Sequence, residues 1–198
     1  MAIRYYDAAL YNKIKSWIKD PNMTLMSPQD STRLFQITAE KNDDKPLSLP
    51  LIAISRDPNM EILSTRKKAM TYDGAHIRFD KEHSALLNAV PIQLNYQLDI
   101  YTRYFAEADE YTRNFIFNFI NYPKLHIEVP YNNANIVHDC TVRLESTVSD
   151  NSDIPERLIS GQFTRMTIHL IIDDAYLFSV PFMDNWNIED LSQIKVVE

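Results

Sequence analysis

Between Ile92 and Tyr101 apolar and polar residues alternate without a break. Ile92, Leu94, Tyr96, Leu98 and Ile100 take one set of positions, and Gln93, Asn95, Gln97, Asp99 and Tyr101 the other. Successive side chains of a strand point to opposite faces, so the run predicts a strand with one face in a core and the other polar. A helical period of 3.6 would scatter the same residues around an axis.

The residues that follow define the rest of the layer. Phe105, Ala108, Tyr111, Thr112, Phe115 and Phe119 recur at helical spacing up to Pro123. Glu107, Asp109 and Glu110 near its start suit the positive end of a helix dipole. Leu125, Ile127 and Val129 then alternate with Lys124, His126 and Glu128, and an asparagine-rich turn is expected over Pro130 to Asn135. Cys140, Val142 and Leu144 form a third alternating set, and Met166, Ile168, Leu170 and Ile172 a fourth, with a polar loop from Ser149 to Asp153 between them. The order strand, helix, strand, strand, strand predicts an α+β fold: a mixed, largely antiparallel sheet with helices packed on one face.

The first half is less regular. Tyr6, Leu10, Ile14, Trp17 and Ile18 predict an amphipathic helix over Tyr5 to Asp20, ended by Asp20-Pro21-Asn22. Ser31 to Glu40 fits a helix or a strand equally, Lys41 to Lys45 reads as a charged turn, and Leu49 to Ile54 as a short buried strand. Arg56 to Val90 is expected to be an irregular excursion, with a turn at Thr71-Tyr72-Asp73-Gly74. Ser179 to Glu198 mixes Phe182, Trp186, Ile188, Leu191 and Ile194 with acidic residues and has no firm period. It reads as an extended C-terminal arm (179–198) on a single domain (1–178), with a docked strand and short helix as the equal alternative.

Motifs that announce chemistry are scarce. Gly74 and Gly161 are the only glycines, too few for a phosphate-cradling loop or a dinucleotide fingerprint. No histidines stand at the helical spacing that lets two imidazoles share a metal, and in a strand Asp139 would point away from His138 and Cys140. Cys140 lies in phase with Val142 and reads as a small buried apolar residue. Ser160-Gly161 lacks the rest of a nucleophile elbow. The acidic pairs Glu107 with Asp109 and Asp173 with Asp174 are explained by a helix start and a strand end. The expectation is a non-enzyme without metal or cofactor; a small-molecule-binding domain or small enzyme with a pocket between the Phe105 helix and the sheet is the remote alternative.

The net charge of -7 opposes non-specific attraction to nucleic-acid phosphates. Arg66, Lys67 and Lys68 form the one dense basic run, either a solvated face or a contact patch. One cysteine permits no internal disulfide, Met1 to Tyr6 lacks a secretory pattern, and no window is apolar enough to span a bilayer, so synthesis in a cytoplasm is expected. Arg66, Lys67, Lys68, Tyr72, Phe182 and Trp186 are the candidate interface residues, because aromatic and basic side chains on irregular segments suit anchoring to a partner.

The segment Pro91-Ile92-Gln93-Leu94-Asn95-Tyr96-Gln97-Leu98-Asp99-Ile100-Tyr101-Thr102-Arg103-Tyr104 resembles the tail completion, or tail terminator and sheath-stabiliser, proteins of contractile-tailed bacteriophages. There a proline-led alternating strand runs through an aromatic-Thr-Arg-Tyr turn into an amphipathic helix. The similarity extends back to Leu49 and forward to about Phe178, and the chain departs from the family after Phe178. The resemblance implies a homo-hexameric ring at the tail-neck junction of the virion. Its partners would be the tail tube, the sheath if the tail contracts, and the neck proteins, with no catalytic residues. Another neck, connector or baseplate subunit is the alternative within the same class.

Overall fold

The structure, a computed structural model, describes residues 3–31, 49–63, 70–78, 84–131, 134–152 and 163–178. Helices α1 (Ile3–Trp17) and α2 (Phe105–Asn121) accompany strands β1 (Thr24–Met26), β2 (Leu51–Arg56), β3 (Glu61–Ile62), β4 (Met70–Arg78), β5 (Ser84–Thr102), β6 (Lys124–Tyr131), β7 (Ala134–Asp150) and β8 (Thr164–Phe178). They form an 8-stranded sheet in the order β1-β2-β5-β8-β7-β6, with β3 and β4 also paired to β5. All pairings are antiparallel except β1 with β2. The fold is α+β, as the sequence predicts.

The organising element is β5. At 19 residues it spans about 60 Å. Its two edges are used differently: β2, β3 and β4 pair with successive stretches of one edge, and β8 runs along the other. The expected strand beginning at Ile92 is therefore only the second half of β5. Its first half, with β3 and β4, occupies the stretch read from sequence as irregular. Thr71 to Gly74 is not a free turn either. It lies in β4, where the register slips between Thr71 and His76, so the turn-forming Asp73-Gly74 is taken up as an irregularity in a strand. Pro91 sits inside β5 rather than leading it. Its carbonyl accepts from the Leu63 amide at 3.3 Å, so its missing N–H falls on the β3 side and costs the β8 ladder no bond.

The alternating residues Ile92, Leu94, Tyr96, Leu98 and Ile100 are buried against α1 and α2, together with Ile52 and Ile54 of β2 and Ile168, Leu170 and Ile172 of β8. Each such side chain contributes about 1.5–3 kcal/mol over its exposed state, which makes this face the main source of stability. The helices lie side by side on it. Trp17 meets Phe119 edge-on, with ring centroids 4.8 Å apart. Polar bonds fix the angle of α1. Asp7 accepts from the Tyr96 hydroxyl at 2.8 Å and from Arg56 at 2.6 Å. The Tyr6 hydroxyl donates to the Tyr176 carbonyl at 3.2 Å and accepts from the Tyr176 amide at 2.8 Å.

β7 changes partner along its length. Residues up to Thr141 pair with β6, and those from Val142 pair with β8. At the crossing β8 carries an extra residue: Asp173 and Asp174 together face Gln93. The Asp174 carboxylate accepts the Thr141 amide at 2.8 Å, while Asp173 forms an ion pair with Arg143. These two acids thus close a bulge in mid-strand and do not mark a strand end. Strand β6 also runs through Pro130 and Tyr131, which the sequence assigned to a turn, and β7 runs to Asp150, into the expected polar loop. The Ser31 to Glu40 segment beyond Ser31, the Lys41 to Lys45 turn and the C-terminal arm lie outside the described residues.

Candidate interaction surface

The face of the sheet opposite the helices is less polar than its sequence predicts. Leu51, Ala53 and Tyr101 form a small apolar cluster there with Met26, Leu49 and Phe163. Beside it Asp99 is buried and ion-paired. Arg165 donates to its two carboxylate oxygens at 3.2 and 3.1 Å, Thr167 at 2.6 Å, and Gln97 at 3.0 and 2.8 Å. The Arg165 guanidinium also lies over the Tyr101 ring, 5.5 Å from its centroid. A buried polar cluster therefore exists, but on the far side of the sheet from α2. Its carboxylate is occupied by side chains from neighbouring strands, an arrangement that holds strands together.

His138 and Cys140 point into the core and Asp139 points out, as their strand phase predicts. Burial raises the Cys140 thiol to about 12, so it is a poor nucleophile. Asp139 instead meets His126 across the β6–β7 pair at 2.7 Å, which lowers the carboxyl and raises the imidazole. No cluster of three metal-ligating side chains occurs among the described residues.

His138 has the opposite tendency to His126. Burial lowers it below the ordinary 6.5, outweighing its bond to the Asp174 carbonyl at 2.9 Å, while Tyr6, Tyr176 and Phe178 pack around the ring. The unfolded chain then binds a proton more readily than the folded one. The stability linked to His138 is full above about 6.5 and is lost as pH falls through that value toward its own lower one. Urea midpoints should drop between pH 7.5 and 5.5 for the native protein and drop less for His138→Asn. The exposed His126 runs the other way, its contribution being lost as pH rises, but an exposed pair of this kind is worth little. An unchanged acid slope in His138→Asn would locate the acid sensitivity elsewhere.

Among the described residues, the most exposed large apolar side chains lie on and beside α2. Phe117 and Ile120 are 59% and 61% exposed, Tyr104 and Phe105 flank the start of the helix, and Tyr122 its end. Behind Phe117 and Ile120 a groove of about 500 Å³ opens between the end of α2 and β7. Ile116, Ile120 and Pro123 line one wall, and Val142, Leu144 and Val148 the other. The local cause is a third register slip: between Leu144 and Val148 the residues Glu145, Ser146 and Thr147 oppose only His169. Such a bulge bends its strand, here beside the last turns of α2.

The interface residues expected from sequence fall mostly on segments that are not described. Arg66, Lys67, Lys68, Phe182 and Trp186 lie outside the described residues, and Tyr72 is a residue of β4. Phe117, Ile120, Tyr122 and Val148 were missed. A signal was present: Phe117 and Ile120 are apolar yet fall outside the Ala108, Thr112, Phe115, Phe119 stripe that α2 buries. No helix among the described residues is long and apolar enough to cross a membrane. No protein-family model matches the chain, and no curated protein matches it in sequence.

Proposed function

We propose that this chain is a non-enzymatic structural subunit of a bacteriophage tail. In this reading it closes as a ring, hexameric by the family resemblance, on the head-proximal end of the tail tube. It is made in the host cytoplasm and ends in the virion at the tail-neck junction, joining tube, and sheath where the tail contracts, to the neck. The observation that carries the reading is the exposed apolar side of α2 with its groove at the sheet edge. Phe117 and Ile120, one turn apart and beside an apolar hollow, suit a lasting protein contact, because large exposed apolar patches are rare on proteins that act alone. The segment that resembles tail completion proteins supports it separately: Pro91 to Tyr104 covers the second half of β5 and the turn into α2.

The test is the mass of the purified protein by light scattering, followed by negative-stain imaging of the protein alone and mixed with polymerised tail tubes. Rings, or caps at one end of each tube, are expected. A monomer that ignores tubes would move the chain to another neck, connector or baseplate position.

A further inference from the structure

We infer that the α2–β7 groove receives the β3 edge of a second copy of this chain, making a head-to-tail contact; the inference rests on the assembly reading above and names the surfaces that would build the ring. Ile62 of β3 is 56% exposed. It is the one large apolar residue so exposed on β1, β2 and β3 among the described residues. The groove lies at the other side. From β3 the sheet passes through β5 and β8 to β7, so knob and groove are separated by three strand spacings, about 14 Å. Past Val142, β7 has no strand beyond it among the described residues. Two such surfaces, held three strands apart in one sheet, do not meet within one subunit. They can meet between copies, and a contact of unlike surfaces repeats from subunit to subunit until it closes.

Charge favours the same pairing. Glu61 beside Ile62 and Asp57 before it are exposed acids, and Arg56, the nearby cation among the described residues, is engaged by Asp7. On the groove side Arg113 stands one turn before Phe117, and Arg143 lines the wall against a single lining acid, Glu145. Arg143 already holds Asp173, but a guanidinium has five N–H donors and can donate to a second carboxylate. The predicted seat places Ile62 against Ile120 and Leu144, with Glu61 toward Arg143.

A mixing experiment with the full chain decides this. Ile62→Asp and Ile120→Asp each place a charge on an exposed side chain, so both variants should keep the far-UV spectrum and melting temperature of the native protein. Each alone should associate at least tenfold more weakly by analytical ultracentrifugation. Mixed in equal amounts they should form dimers and stop there, because one variant retains its groove and the other its knob. Rings formed by either variant alone, or a mixture that stays monomeric, would overturn this docking. The two readings fail differently: native protein that caps tubes while Ile62→Asp also caps them leaves the terminator role standing and removes only the contact. Native protein that neither associates nor caps tubes removes both.

Discussion

Asp99→Ala should lower the unfolding free energy by about 3–5 kcal/mol, the usual cost of removing one partner from a buried ion pair. The side chains of Asp99 and Arg165 are 6% and 11% exposed, so water replaces little of what the carboxylate supplies. The substitution takes an acceptor from Arg165, Thr167 and Gln97 at once, and those residues belong to β5 and β8, the central pair of the sheet. Desolvation of the stranded guanidinium, more than the lost Coulomb attraction, sets the size of the effect. Asp99→Leu combined with Arg165→Met should recover much of the loss, since exchanging a buried pair for apolar residues of similar volume is often neutral. Urea unfolding of the two single variants and the double variant makes the measurement. A loss below about 1 kcal/mol in Asp99→Ala would mean that Arg165 finds solvent as readily as its partner.

Phe119→Ala should cost a similar amount, about 3–5 kcal/mol, by a different route. Phe119 is 1% exposed, near the end of α2, and its ring meets Trp17 edge-on. Truncation removes apolar area, leaves a cavity that two helices anchored to the sheet cannot easily close, and breaks an aromatic pair worth about 0.5–1.5 kcal/mol beyond its area. The chain has two tryptophans, so a Trp186→Phe background makes fluorescence a report on Trp17 alone. The emission of Trp17 should move to longer wavelength in Phe119→Ala, together with the lower urea midpoint. Phe117→Ala, two residues away but pointing outward, should leave both unchanged and act only on association. Equal loss of stability in the two variants would mean that the outward side of α2 is also packed against the protein.

What the chain reveals before it folds is the phase of its elements. The alternation around Leu94 and Leu98, the stripe Ala108, Thr112, Phe115, Phe119, and the opposite orientation of Asp139 to His138 and Cys140 could all be read directly, because a side chain's face follows from local backbone geometry. The α+β class followed from the order of those segments. Strand lengths and partners did not. The stretch from Arg56 to Val90 looks irregular because Pro58, Gly74 and the charged residues interrupt every local period, yet much of it pairs along β5, whose long edge supplies hydrogen-bond partners that no short window contains. The burial of Asp99 likewise could not be seen in a strand whose odd positions are polar. It depends on Arg165 and Thr167 arriving from residues far along the chain. The exposed side of α2 lies between these cases. Phe117 and Ile120 stand outside the buried stripe in the sequence itself, but only packing decides that nothing from the described residues covers them. Local sterics and periodicity set which way each residue faces; the free energy of bringing distant segments together, settled in the tertiary structure alone, decides what it meets there.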